Sequence, residues 1–142
     1  MDEIYSDNQV HDIAVRVLAQ LTPAGDRATV LCLQGDLGAG KTTLTQAIAK
    51  NLGIEETVVS PTFVIAKFYT PTIGGFTQLV HIDAYRIESE DELGPIGFSE
   101  LLKQARTLIV IEWPERIKKS IPRGALWMNI THRDTMRHIA TI

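Results

Sequence analysis

The spacing of apolar residues changes several times along this chain, and each change marks an element. From Asp7 onward, Val10, Ile13, Ala14, Val17, Leu18 and Leu21 recur at i, i+3, i+4 and i+7. That spacing predicts a helix with one buried stripe, capped by Ser6 or Asp7. Pro23-Ala24-Gly25-Asp26 breaks the pattern, and residues 28–33 are then apolar with almost no alternation, which predicts a short strand buried on both faces. Residues 42–52 predict a second helix, ended by Gly53 in the left-handed cap position. Residues 62–69 and 76–82 are rich in β-branched and aromatic side chains and flank Pro71-Thr72-Ile73-Gly74-Gly75, so they predict an antiparallel hairpin. Ser89-Glu90-Asp91-Glu92 reads as a helix start interrupted by Gly94-Pro95, and residues 98–105 predict another helical turn or two. A second fully apolar run, Thr107-Leu108-Ile109-Val110-Ile111, predicts a central strand beside the first. Residues 126–132 and 137–142, around Asp134-Thr135, predict a closing hairpin.

The chemistry sits where the first apolar run ends. Gly35-Asp36-Leu37-Gly38-Ala39-Gly40-Lys41-Thr42 fits the phosphate-loop pattern G-x-x-x-x-G-K-[ST] between a predicted strand and a predicted helix. Gly35, Gly38 and Gly40 let the backbone curl so that successive N–H groups converge on phosphate oxygens. Lys41 adds a compact charge for the β and γ phosphates, Thr42 offers a hydroxyl to Mg²⁺, and the helix N-terminus beginning there favours an anion. Thr43 follows inside the same segment. The expected fold is therefore α/β and P-loop NTPase-like: three layers, with a mixed, mainly parallel central sheet and antiparallel hairpins.

A phosphate loop needs an acidic partner at a neighbouring strand end, because Mg²⁺ is hard and prefers oxygen ligands. Glu112 ends the second apolar run, in the place of a Walker B carboxylate, and is assigned to the metal together with Thr42. Asp83 ends Leu79-Val80-His81-Ile82 and is assigned to positioning water or to the outer metal shell. Ser60-Pro61-Thr62-Phe63 lies where nucleotide switches place a γ-phosphate sensor, which makes Thr62 a candidate. His81 reads as a satisfied strand histidine rather than a proton carrier. Trp113, one residue past Glu112, is placed to shield or gate the site.

Charge and cysteine content narrow the class. At 142 residues the chain suggests one domain, residues 1–142, with no repeats or linkers. Cys32, the sole cysteine, falls inside an apolar strand, and no segment reaches the roughly 20 apolar residues of a membrane span. The expectation is a cytoplasmic protein. A net charge of −3 without a long basic run argues against strong direct binding to nucleic acid.

Taken together, GDLGAGKTT at 35–43, SPTF at 60–63, HIDAYR at 81–86 and EWPE at 112–115 resemble the signature set of the bacterial TsaE ATPases, in order and spacing and over nearly the whole chain. The resemblance implies an ATPase that uses ATP and Mg²⁺ in making threonylcarbamoyladenosine at tRNA position 37. Its implied partners are the transferase TsaD and the TsaB protein, whose complex the nucleotide cycle resets. By motif, Lys41 and Thr42 bind phosphate and metal, Glu112 belongs to the metal site, and Thr62, Asp83 and Trp113 surround the γ phosphate or face partners. Tyr85 and Arg86 also match. Adenine has no diagnostic motif; Asn8 and Arg133 are candidates for its neighbours. Two other readings stay open, a small-molecule P-loop kinase and a nucleotide-dependent regulatory switch. The segment after the loop carries no arginine-rich lid, and no N-K-x-D guanine-reading segment occurs.

Overall fold

A computed structural model describes residues 1–59, 61 and 65–142. Its centre is a seven-stranded sheet in the order β1-β7-β6-β2-β5-β4-β3. The strands are β1 (Asp2–Ser6), β2 (Thr29–Gln34), β3 (Ala66–Tyr69), β4 (Gln78–Asp83), β5 (Thr107–Glu112), β6 (Leu126–Arg133) and β7 (Met136–Thr141). Strands β6, β2, β5 and β4 are mutually parallel, while β7 and β1 on one side and β3 on the other run antiparallel to their neighbours. The two apolar runs thus become adjacent central strands, with Leu33 in register with Glu112.

Both faces of the sheet are covered, which is why these strands read as continuous apolar runs. On one face, Leu31, Leu33, Leu108 and Val110 pack with Ile13, Ala14 and Val17 of helix α1 (Val10–Leu18) and with Leu44, Ala47 and Ile48 of helix α2 (Lys41–Asn51). On the other, Val30, Cys32, Ile109 and Ile111 meet Leu93, Phe98, Leu101 and Ile117, carried by the short helix α3 (Phe98–Leu101) and by 3-10 turns. Each fully buried aliphatic side chain contributes roughly 1.5–3 kcal/mol, so the centre of the sheet carries much of the hydrophobic stabilisation.

Three differences from the expected elements have local causes. Asp2–Ser6 form edge strand β1, anchored by the buried Tyr5; Asp-Glu-Ile-Tyr-Ser is too short and polar for its alternation to be read. The first helix begins with a separate 3-10 turn, Asp7–Gln9, because the Gln9 side chain takes the Ser6 N–H. Around residues 89–105, Gly97 at φ +69° and the Gly94-Pro95 break leave only a 3-10 turn, Glu90–Leu93, and the one-turn α3. Gly53 adopts φ +74° after α2, as the left-handed cap requires. The predicted hairpins 62–69/76–82 and 126–132/137–142 pair antiparallel as β3/β4 and β6/β7, with residues 62–64 outside the described set. Among the described residues no helix is long and apolar enough to cross a membrane.

Candidate functional site

Parallel strands β2, β5 and β4 end on one edge of the sheet, so the loop after β2 and the last residues of β5 and β4 meet there. In open α/β sheets this is the crevice where ligands bind. The cleft has a volume of about 470 Å³ and is lined by Gly38, Gly40, Lys41, Thr42, Asp83, Glu112 and Trp113, among others. A groove of similar volume, about 430 Å³, runs beside α1, α2 and residues 54–58; size alone does not distinguish the two, but the loop and its carboxylates line the first.

The loop is shaped by its glycines. Gly38 and Gly40 hold φ at +77° and +110°, a region costly to residues with a Cβ, and a Cβ on Gly35 would run into the Ile130 carbonyl oxygen. Gly40 is the N-cap of α2, so the free N–H groups of that 11-residue helix open toward the loop. Lys41 is buried, and its Nζ donates to the carbonyl oxygens of Gly35 (2.6 Å) and Asp36 (2.8 Å). Burial holds its pKa below the ordinary lysine range, opposed by the negative charges of Glu112, Glu115, Asp83 and Asp36.

Glu112 is 3% exposed and closes β5. The Thr42 hydroxyl donates to both of its oxygens, at 2.9 and 3.0 Å, and His81 Nε2 lies 2.5 Å from Oε2. Asp83 stands beside Glu112 in register on β4 but is only half-buried, with its Oδ1 accepting the Tyr85 N–H at 2.9 Å. Trp113 takes a left-handed backbone, φ +58°, which costs a non-glycine residue about 1 kcal/mol or more. That turn lays its ring 4.4 Å from Lys41 Nζ, with Tyr85 packed 4.9 Å away, ring centre to ring centre. The Trp113 ring thus covers the buried Lys41 ammonium.

Arg137 was not among the sequence candidates. From β7 its Nη1 donates to the carbonyl oxygens of Gly38 (2.9 Å) and Ala39 (2.6 Å), while Nε donates to Asp7 Oδ1 (2.6 Å). It braces the loop through its carbonyl oxygens, ties it to Asp7, and itself lines the cleft. The available signal was alternation: Arg137 shares a strand face with the buried Ile139. His81 was read as a satisfied histidine, yet only Nε2 is bonded; Nδ1 is buried without a hydrogen-bond partner among the described residues.

The structure brings Lys41, Thr42, Asp83, Glu112 and Trp113 together. Asn8 lies in the turn before α1, where its Oδ1 accepts the Ser6 hydroxyl, and Arg133 ends β6 at the tip of the hairpin. Neither hydrogen-bonds the loop. Thr62 lies outside the described residues.

The donor set fits magnesium. A threonine hydroxyl and a carboxylate already in contact, with a second carboxylate at the next strand end, are hard oxygen donors. No cluster of three or more His, Cys, Asp or Glu forms among the described residues. Magnesium bound with a nucleotide needs none, since it takes phosphate oxygens and waters for most of its shell.

Comparison with known proteins finds a family, relatives and a solved structure similar to this chain. A family described as threonylcarbamoyl adenosine biosynthesis protein TsaE matches residues 4–139. The tRNA threonylcarbamoyladenosine biosynthesis protein TsaE of Streptomyces coelicolor is 38% identical over 87% of this chain and 84% of its own. Its namesake in Rickettsia typhi is 33% identical over 100% of this chain and 93% of its own. The crystal structure of Bacillus subtilis YdiB superposes with a TM-score of 0.74 at 29% identity, covering 99% of this chain and 83% of that one.

Proposed function

Since this chain belongs to the TsaE family of threonylcarbamoyladenosine biosynthesis proteins, we propose that it is a magnesium-dependent ATPase serving that tRNA modification. The observation that carries the reading is the Thr42–Glu112 contact beneath a glycine-shaped loop, a carboxylate and a hydroxyl poised for one hard cation.

In this reading the loop N–H groups and Lys41 bind the β and γ phosphates of ATP, and Lys41 exchanges the carbonyl oxygens of Gly35 and Asp36 for phosphate oxygens. Thr42 and Glu112 hold magnesium, which, when bound, supplies positive charge against the phosphates. Asp83 orients the water that attacks the γ phosphorus, and Trp113 with Tyr85 keeps bulk solvent from Lys41. The protein acts in the cytoplasm with TsaB and TsaD, and its ATP cycle resets their complex between turnovers. With a net charge of −3, it leaves tRNA binding to those partners.

Hydrolysis is slow alone and faster in the complex, because partners complete sites whose water is loosely placed. Phosphate release with and without the TsaB and TsaD proteins of the same cell tests this. A clear acceleration is expected, and equal rates would remove the partner-driven cycle.

A further inference from the structure

We propose that His81 is a positioning residue for Glu112, holding the carboxylate that serves the metal; this rests on the magnesium-nucleotide reading above. His81 lies on β4, wholly buried, level with Val110 on β5 and on the same sheet face as Leu79. Leu79, Val80 and Ile82 around it are also wholly buried. An aliphatic side chain would suit this environment better, because a buried imidazole must have its polar atoms paired or bear their desolvation. Among the described residues Nδ1 has no hydrogen-bond partner, so fold stability alone gives little reason for a histidine.

The contact to Glu112 supplies the reason. An ionised carboxylate only accepts hydrogen bonds, so Nε2 is the donor to Oε2. Thr42 spreads its hydroxyl across both carboxylate oxygens, at 2.9 and 3.0 Å, and so defines the carboxylate's rotation poorly. His81 pins one oxygen. Thr42 is also a proposed metal donor, whereas His81 is wholly buried and, among the described residues, hydrogen-bonds Glu112. Orienting partners of this kind typically govern metal affinity by about 10–100-fold.

The test separates metal from nucleotide. Binding of Mn²⁺ in the presence of ADP is followed through the spin-resonance signal of free Mn²⁺, and ADP affinity is measured separately with EDTA present. His81→Leu should weaken Mn²⁺ uptake about tenfold while metal-free ADP affinity stays within about twofold. His81→Gln, whose amide nitrogen reaches to the Nε2 position, should retain most of the metal affinity. Unchanged Mn²⁺ uptake in His81→Leu would overturn the assignment, as would a parallel loss of metal-free ADP affinity, which marks a structural role. If His81→Leu does not fold, His81→Gln and His81→Asn decide: Asn places its nitrogen near Nδ1, so Gln binding Mn²⁺ more tightly than Asn supports the role and equal affinities refute it. Wild-type protein that takes up ADP but no Mn²⁺ would instead bring down the magnesium reading, and His81's role with it.

Discussion

The phosphate loop is gripped from two sides by contacts of different physical kinds. On the inner side, half-buried Thr42 and the buried Glu112 and His81 form a chain of hydrogen bonds toward the ends of the central strands. On the outer side, Arg137 ties the loop carbonyls to Asp7, whose carboxylate is largely in solvent. Buried partners are expensive to remove because the group left behind cannot turn to water, whereas an exposed pair is screened and replaceable. The inner grip should therefore carry chemistry and the outer grip the loop's shape.

Breaking the inner side should have the largest effect. Glu112→Gln removes the charge facing the metal and should slow ATP turnover by about 10²–10³-fold, measured as phosphate release at saturating ATP. Asp83→Asn, at the adjacent but half-buried strand end, should cost about 10–100-fold, and a loss as deep as that of Glu112→Gln would erase the proposed difference between the two carboxylates. In urea unfolding, Glu112→Ala leaves two donors without an acceptor and should cost about 1–3 kcal/mol, against less than about 1 kcal/mol for Asp83→Ala.

Disturbing the outer side should act on affinity rather than chemistry. Arg137→Ala should weaken nucleotide binding about tenfold with kcat nearly intact, and Arg137→Lys should recover only part, because a single ammonium cannot reproduce the forked contacts to Gly38, Ala39 and Asp7. The smallest effect belongs to Asp7. Its hydrogen bond to the Arg137 guanidinium, and the attraction of that charge, hold its pKa below the ordinary carboxylate value. A depressed folded pKa means that its stabilisation is complete above the unfolded value, near 3.9, and is lost as pH falls through the folded one. Asp7→Asn should thus flatten the acid limb of the stability–pH curve, lowering stability slightly at neutral pH and converging with the wild type in strong acid. An acid limb identical to that of the wild type would remove the pair from the account.

The difference between the two sides also explains what the amino-acid order made legible. The inner site was readable because its chemistry sits at the ends of uninterrupted apolar runs: Glu112 closes Leu108-Ile109-Val110-Ile111, and Lys41 and Thr42 follow a glycine spacing with few alternative uses. Gly53 was readable for a similar reason, since the left-handed cap nearly demands it. The outer grip was hidden because it is assembled by tertiary pairing. Asp7 and Arg137 stand 130 residues apart and meet only when β1 pairs with β7, and β1 itself has a single buried side chain, Tyr5. His81 was visible as a residue but not as a partner of Glu112, a relation set by the register of β4 on β5. The helices after Ser89 shrank to one 3-10 turn and one α-helical turn because Gly94, Pro95 and Gly97 cut the segment into pieces too short to propagate.

In the proposed function the glycine-shaped loop and the Glu112 carboxylate together hold magnesium-bound ATP. Isothermal titration calorimetry of the folded chain with ATP, in excess magnesium and again in EDTA, tests it most directly. One ATP per chain is expected, bound more weakly without the metal, and Glu112→Gln should erase most of the difference between the two conditions. No binding by folded protein at saturating magnesium, or an affinity indifferent to both the metal and Glu112, would contradict it.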